Sequence, residues 1–270
     1  MTVAVSGQID AKRLTADLRA LGVGEARHLL VHCSMRSLGQ VLGGPDAVLA
    51  AIREVIGPAG TVVVPTQTAN NSTTSRYHFE AVAGMTRRQR KRYIEDLPGF
   101  DLDRTPSFKM GLLAEHVRRH PDSIRSDHPQ TSFSAIGPAA AALMTQHALT
   151  SHLGDESPLG ALYRADGHCL LMGVDYDKCT TLHLAEYRMP PTVPTPTKQY
   201  RCFVARGNHR RATRFRAIDL DDSRFHELGA ALDDQEIARS GPVGDTVARL
   251  IPIRRAVAFA ITWMAERRSL

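Results

Sequence analysis

The stretch "HLLVHCSMRSLGQVLGGPDAVLAAIREVIGPAGTVVVPTQT", residues 28–68, decides the fold. It opens on a short apolar run that suits a strand buried on both faces. Gly43 and Gly44 then mark a turn. Pro45 and Asp46 open a helix, where proline gives up no needed N–H and an acid meets the positive end of the dipole. Glycines stop that helix before residue 60. "TVVVPTQT" (61–68) reads as a second strand, cut by Pro65 because proline cannot donate to a ladder. Strand, helix and strand in this order predict a parallel pair joined by a right-handed crossover.

Working outward, residues 9–23 have apolar side chains at helical spacing and Gly24 as a stop. Residues 69–107 are irregular and polar apart from a helix at about 85–95, so they read as an inserted helical excursion. A helix is predicted at 108–121, an extended segment at 125–137, a helix at 138–147 beginning with Pro138, and a buried strand at 166–174. Residues 200–219 alternate as two antiparallel strands around the turn Gly207–Asn208–His209. The proline-stiffened segment 189–198 is too short to be a free linker, and 253–268 forms an amphipathic closing helix. The whole chain, 1–270, is expected to form a single α/β domain.

Composition sets the class. Hydrophobic residues make up 43% and charged residues 23%, as in ordinary globular proteins. The N-terminus lacks a basic segment followed by an apolar run, so no signal peptide is expected. No stretch reaches the roughly 18–20 apolar residues of a membrane helix, so a cytoplasmic protein without membrane contact is expected. Cys33, Cys169, Cys179 and Cys202 are scattered and suggest neither a disulfide framework nor a zinc ribbon. The formal charge of +6 permits an anionic partner. The basic run "RRQRKRY" (87–93) fits a solvated helix face or a phosphate contact. Nucleic-acid binding would require further basic patches and interleaved aromatics.

The densest polar chemistry lies in "DKCTTLHLAEYR" (177–188). His183 and Glu186 are three residues apart and share a helix face. Thr180 or Thr181 is a good N-cap, which would place His183 in the first turn, where the helix dipole favours a neutral imidazole. Three readings fit: a general base with its orienter, a metal site built on Cys179, His183 and Glu186, or a polar surface helix. The metal reading lacks a second histidine and further ligands. Cys179 as a nucleophile competes with Cys179 as a small buried hydrophobe. The loop Ser34–Gly44 leaves the carboxyl end of a strand, where open α/β sheets place ligands. Its Ser34, Ser37, Gly39, Gly43 and Gly44 expose backbone N–H groups able to cradle a pyrophosphate, although a plain connection also fits. Arg125 and Ser126 suit a phosphate or carboxylate. His128 lies in a polar loop, and Asp155 and Glu156 stand before a short helix, where acids either serve the dipole or receive a cationic ligand.

The segments "VHCSMRSLGQVLGG", "GPAGTVVVPTQT", "LPGFDLDRTPSFKMG", "RSDHPQTSFSAIGPAA", "ESPLGALY", "LLMGVDYDKCTTLHLAEYR" and "GPVGDTVARLIPIRRAVAFAITW" run in order over nearly the whole chain. Together they resemble the aminoglycoside 3-N-acetyltransferase family. The resemblance implies a three-layer α/β/α-type domain with a mixed central sheet. It also implies acetyl-CoA as co-substrate with no metal, and transfer of acetyl to an aminoglycoside amine, typically the 3-amine of 2-deoxystreptamine, or to another amine in a biosynthetic pathway. In that light His183 is the general base, Glu186 its partner, and Thr180 or Thr181 a donor to the oxyanion. The loop carrying Ser34, Arg36, Ser37, Leu38, Gly39, Gly43 and Gly44, with Ser126, would bind CoA. A polycationic acceptor would need acids, for which Asp177, Asp155, Glu156, Asp175 and Asp103 are candidates, with His128 beside them. The expected partners are small molecules rather than nucleic acid, and the protein is expected to be a monomer or homodimer.

Overall fold

The structure, a computed structural model, describes residues 8–207 and 209–268. In chain order the strands are β1 (His28–Cys33), β2 (Thr61–Pro65), β3 (Ile124–Arg125), β4 (Phe133–Ile136), β5 (His168–Met172), β6 (Thr197–Arg206), β7 (His209–Ile218), β8 (Arg239–Val243) and β9 (Thr246–Pro252). The α-helices are α1 (Ala11–Ala20), α2 (Met35–Leu38), α3 (Gly44–Ile56), α4 (Arg76–Ala81), α5 (Arg87–Glu95), α6 (Leu112–Arg119), α7 (Ala140–Met144), α8 (Pro158–Arg164), α9 (His183–Glu186), α10 (Phe225–Asp234) and α11 (Ile253–Arg268).

The predicted β-α-β unit is present as β1, α3 and β2, with β1 and β2 parallel. β5 adds to the other side of β1, also parallel. Antiparallel β4 and β3 extend one edge and antiparallel β9 and β8 the other, giving the order β3-β4-β2-β1-β5-β9-β8. The sheet is therefore mixed, with its three parallel strands at the centre. Alternation along these strands divides two cores. Leu29, Val31, Val62, Val64, Leu170 and Met172 pack with α1, α3 and α6 on one face. Leu30, Val63, Cys169 and Leu171 pack on the opposite face with α7, α8, α10 and α11. Burial on both faces explains why these strands read as continuous apolar runs.

Several expectations change in detail. Pro65 ends the regular part of β2, yet pairing continues past it: Thr66 N donates to Ser132 O (2.8 Å) and Thr68 N to Gln130 O (2.9 Å). A proline removes one donor, not the strand's direction. The helix expected from Pro138 starts only at Ala140, and the one expected from 108 starts after Gly111, whose φ of 90° breaks the run. β8, β9 and α10 were not anticipated. β6 and β7 form the predicted hairpin, a separate two-stranded sheet, although Asn208 of its turn lies outside the described residues. Single bridges from Ser72 to Cys202 and from Phe100 to Val204 tie the polar excursion to this hairpin. Among the described residues no helix is long and apolar enough to cross a membrane.

Candidate active site

Because β1, β2 and β5 run parallel, their carboxyl ends emerge on one side of the sheet. A cleft of about 490 Å³ opens there. Its walls come from His32, Cys33 and Ser34 after β1, Pro65 and Gln67 after β2, and Val174 with Asp177–Thr180 after β5. Lys109–Gly111, Thr131, Leu153, His183, Leu220 and Asp222 complete it. The chain leaves β5 through Gly173 at φ 64°, where an added Cβ would lie 2.5 Å from the Ser37 Cβ. A glycine is required for the two loops to pass this closely.

Beyond Gly173 the backbone winds through three short turns: Tyr176–Lys178 and Thr180–Leu182 as 3₁₀, then α9 as a single α-turn. This corrects the expected threonine N-cap. The residues before His183 are already helical, so neither Thr180 nor Thr181 adopts the extended conformation of a side-chain cap. Thr180 instead places its Oγ1 3.2 Å from His32 Nε2. The field of a long helix dipole at His183 is likewise absent, since α9 has only four residues.

The i,i+3 pairing of His183 and Glu186 is realised. His183 Nδ1 lies 2.6 Å from Glu186 Oε2, and the imidazole packs against Phe225 with 4.7 Å between ring centroids. Glu186 is fully buried. Its other oxygen, Oε1, accepts from Arg268 Nη2 (2.9 Å) and from Asp221 N (3.2 Å). A carboxylate so supplied stays an acceptor, fixing the proton on Nδ1 and leaving the Nε2 lone pair of the neutral ring as the basic site. The His183 side chain, 12% exposed, lines the cleft. His32, a second imidazole in the wall, is driven by burial to a pKa of about 4 and is neutral at ordinary pH.

The other predicted residues fall into two groups. Asp177 and Ser34 line the cleft with Thr180 and His183. Ser34 caps α2, accepting from Ser37 N (3.2 Å) and lying 2.8 Å from Ser37 Oγ. Arg36 and Ser37 are exposed beside it, whereas Leu38 is fully buried in the core. Gly39 has φ 98° and faces Asp245, Gly43 has φ 81°, and Gly44 has open space where a side chain would be. Ser126 is fully buried, accepting from Phe133 N (2.9 Å) and sharing a hydrogen bond with His147 Nδ1 (2.9 Å). His128 is buried too; its Nδ1 accepts from Thr131 N (3.0 Å) and Gln130 N (3.2 Å), so it reaches the cleft only through Thr131.

Asp155 pairs with Arg188, and exposed Glu156 lies beside Gln146, both away from the cleft wall. Asp175 faces Arg249 and His226, and Asp103 is exposed on a distant turn. Cys179 is buried with its sulfur 3.9 Å from that of Cys169. Among the described residues no three His, Cys, Asp or Glu side chains group as a metal site.

Residues not anticipated are His32, Lys109, Thr131, Asp222 and Arg268. His32 had a signal, a polar residue near the carboxyl end of an apolar strand. Arg268 had none, since it meets Glu186 across 82 positions.

The chain matches the model of the family described as aminoglycoside 3-N-acetyltransferase over residues 30–265. It is 33% identical to the SPbeta prophage-derived aminoglycoside N(3')-acetyltransferase-like protein YokD of Bacillus subtilis, covering 95% of this chain and 92% of that one. The crystal structure of YokD superposes with a TM-score of 0.88 over 97% of this chain and 95% of that chain. Aminoglycoside N(3)-acetyltransferase VII of Streptomyces paromomycinus is 31% identical, over 97% of this chain and 93% of its own. AAC-IIIb, solved as a binary complex with CoASH, is 26% identical with a TM-score of 0.83, over 97% of this chain and 98% of that one.

Proposed function

The chain belongs to the aminoglycoside 3-N-acetyltransferase family, and on that premise we propose that it acetylates an amine from acetyl-CoA with His183 as general base. The observation that carries this reading is the His183–Glu186 pair, 2.6 Å apart, with His183 lining the cleft and Glu186 buried behind it. Acetyl-CoA supplies an activated thioester, with a carbonyl that gathers negative charge under attack and a thiolate that leaves. The residues present suit it: the Ser34 hydroxyl and Lys109, a positive charge, line the cleft.

A sugar amine is mostly protonated at neutral pH and must lose a proton to attack. His183 Nε2 receives that proton while Glu186, held by Arg268 and Asp221 N, stabilises the charge appearing on the ring. Thr180 Oγ1 is the nearby hydroxyl donor for the developing oxyanion. His32 Nε2 lies 3.2 Å from Thr180 Oγ1; in the tautomer that carries its proton on Nε2 the ring donates to Thr180, and the threonine proton is free to point into the cleft. Acetylation of an aminoglycoside removes a cationic centre, which accounts for a role in resistance.

One observation favours a second class of acceptor, an amine of lower charge. Both cleft carboxylates are already matched, Asp177 by Lys178 (2.5 Å) and Asp222 by Arg76 (2.7 Å). A polycation therefore meets little uncompensated acid here. Free-thiol release from acetyl-CoA across a panel of aminoglycosides and simpler aminosugars tests both readings. Loss of His183, as His183→Ala, should lower kcat by about 10²–10⁴ with the fold intact. Near-normal turnover in that variant would remove His183 from the chemistry.

A further inference from the structure

Helix α5 buries none of its nine residues, so the core gives no reason for it. It is held by a capping box between Thr86 and Gln89 and presents Arg87, Arg88, Arg90, Lys91 and Arg92 to solvent. One end of the β6–β7 hairpin meets the C-terminal turn of this helix through Arg210. Pairing of Tyr200 with Phe215 and Cys202 with Thr213 turns one face inward, where Tyr200, Cys202 and Phe215 are buried. Alternation then sends Arg201, Arg210, Arg214 and Arg216 to the other face.

The two cationic elements are continuous. Arg210 Nη1 donates to Ile94 O (3.0 Å) at the end of α5. Burial lowers the pKa of His78, and Arg90 and Arg201, one from each element, press it in the same direction. Among the described residues, Lys91 alone of these nine cations has an acidic ion-pair partner, Glu95 at 3.9 Å. Eight arginines thus lack an acidic partner across these two adjoining elements, more than the whole chain's net +6.

We propose that this face binds a single-stranded nucleic acid through its sugar-phosphate backbone, without reading sequence. Guanidinium groups match phosphate oxygens in a bidentate fork, and arginine supplies all but one of the cations. Arg214 and Arg216 are two strand residues apart, about 6.6–6.8 Å, a spacing comparable to successive phosphates along a strand. Phe79 is 60% exposed on α4, beside α5 through the His78–Tyr93 contact, and offers a ring on which a base stacks. An anionic bilayer fits less well. The aromatic ring on the hairpin's outer face, Phe203, is 5% exposed and is covered by Arg201 and Arg210.

The basic run at 87–93 alone did not suffice for this reading; the fold supplies the second patch and the aromatic. The test is fluorescence anisotropy of the full chain with a labelled oligouridine of roughly 16 nucleotides, the upper end of common single-strand site sizes. With about four phosphates engaged, log K should fall with log salt at a slope near −3. Arg214→Gln with Arg216→Gln, and separately Arg88→Gln with Arg92→Gln, should each weaken binding about tenfold and flatten that slope by about 1.4. Thiol release from acetyl-CoA should be unchanged in both pairs. Absence of binding at low salt would overturn the proposal, as would retention of affinity in both double variants. Tighter association with phosphatidylserine vesicles than with the oligonucleotide would overturn it in favour of a membrane.

Discussion

At the scale of single residues, the cleft places two imidazoles in different roles. His183 has a carboxylate on one nitrogen and the cleft on the other, while His32 is neutral by burial and touches Thr180. If His32 acts by aiming the Thr180 hydroxyl, the two residues must be energetically coupled. Thr180→Val should lower kcat by about 10²-fold, the usual loss for one oxyanion donor. His32→Phe, which keeps a ring but no nitrogen, should lower kcat by about tenfold in the wild type and hardly at all beside Thr180→Val. KM for acetyl-CoA should move little in either. If the two losses multiply, His32 serves the reaction by another route. Glu186→Gln tests the other arm: an amide cannot stabilise an imidazolium, so kcat should fall with the pH dependence of kcat altered. The contact between His183 and Glu186 was legible in the sequence because a three-residue spacing sets a common face, whereas the role proposed for the pair came from the family resemblance. Thr180 stood out as an N-cap, a role it does not have, because the backbone before His183 is already coiled. The acids Asp155 and Glu156 could not be placed from sequence, since only the folded chain shows Asp155 turned toward Arg188.

At the scale of elements, the site depends on a helix distant in sequence. α11 runs beneath α9 and delivers Arg268 to Glu186 from its final described turn. Removing one partner from a buried ion pair leaves the other charge stranded, and the partly exposed Arg268 softens that penalty to about 1–3 kcal/mol. Arg268→Ala should therefore reduce both thermal stability and kcat, by about tenfold or more for the latter. Arg268→Lys should retain part of each, because an ammonium keeps the charge but loses the fork. Steady-state kinetics beside a melting curve separates this from a fraying helix end. A variant with lowered melting temperature but full kcat at low temperature would show that Arg268 supports the fold alone. The helix itself was legible from its apolar residues, starting at Ile253 as expected and running to the last described residue, Arg268. β8 and β9 were not, for the five residues "RSGPV" carry both glycine and proline, and "TVARLIP" is interrupted by an arginine that faces Asp233 and Asp175. The parallel central strands announce themselves as apolar runs; the antiparallel strands added outside β5 are specified by what they pair with.

At the scale of the whole molecule, a basic protein has enclosed a group of uncharged histidines behind its cleft. His128 lies 4.5 Å from His147 and 4.7 Å from His152 between ring centroids, with Phe215 against His128 and Tyr200 against His152. Burial lowers all three: His147 to about 4, His152 to about 3 and His128 well below the ordinary value of 6.5. Lys198 presses His152 in the same direction, and His32 in the cleft wall stands at about 4. In the unfolded chain each takes a proton near pH 6.5, whereas in the fold His147 and His32 refuse one until about pH 4, His152 until about pH 3, and His128 is likewise held well below the ordinary value. Between those limits the unfolded state binds more protons, so stability is full above about pH 6.5 and falls as pH drops. Each such histidine adds a slope of about 1.4 kcal/mol per pH unit. Glu115, held at about 2 with Arg118 and Ser107 against it, loses its contribution only between about 4.5 and 2, a separate and more acid window. Urea unfolding from pH 8 to 4 should therefore show a plateau, then a steep decline beginning near pH 6.5. His147→Gln, whose amide can still meet Ser126 and the His152 carbonyl, should shallow that decline by one histidine's slope and leave the plateau in place. An unchanged slope in the variant would mean that His147 already carries its proton inside the fold, and the enclosed cluster would then have to be charged.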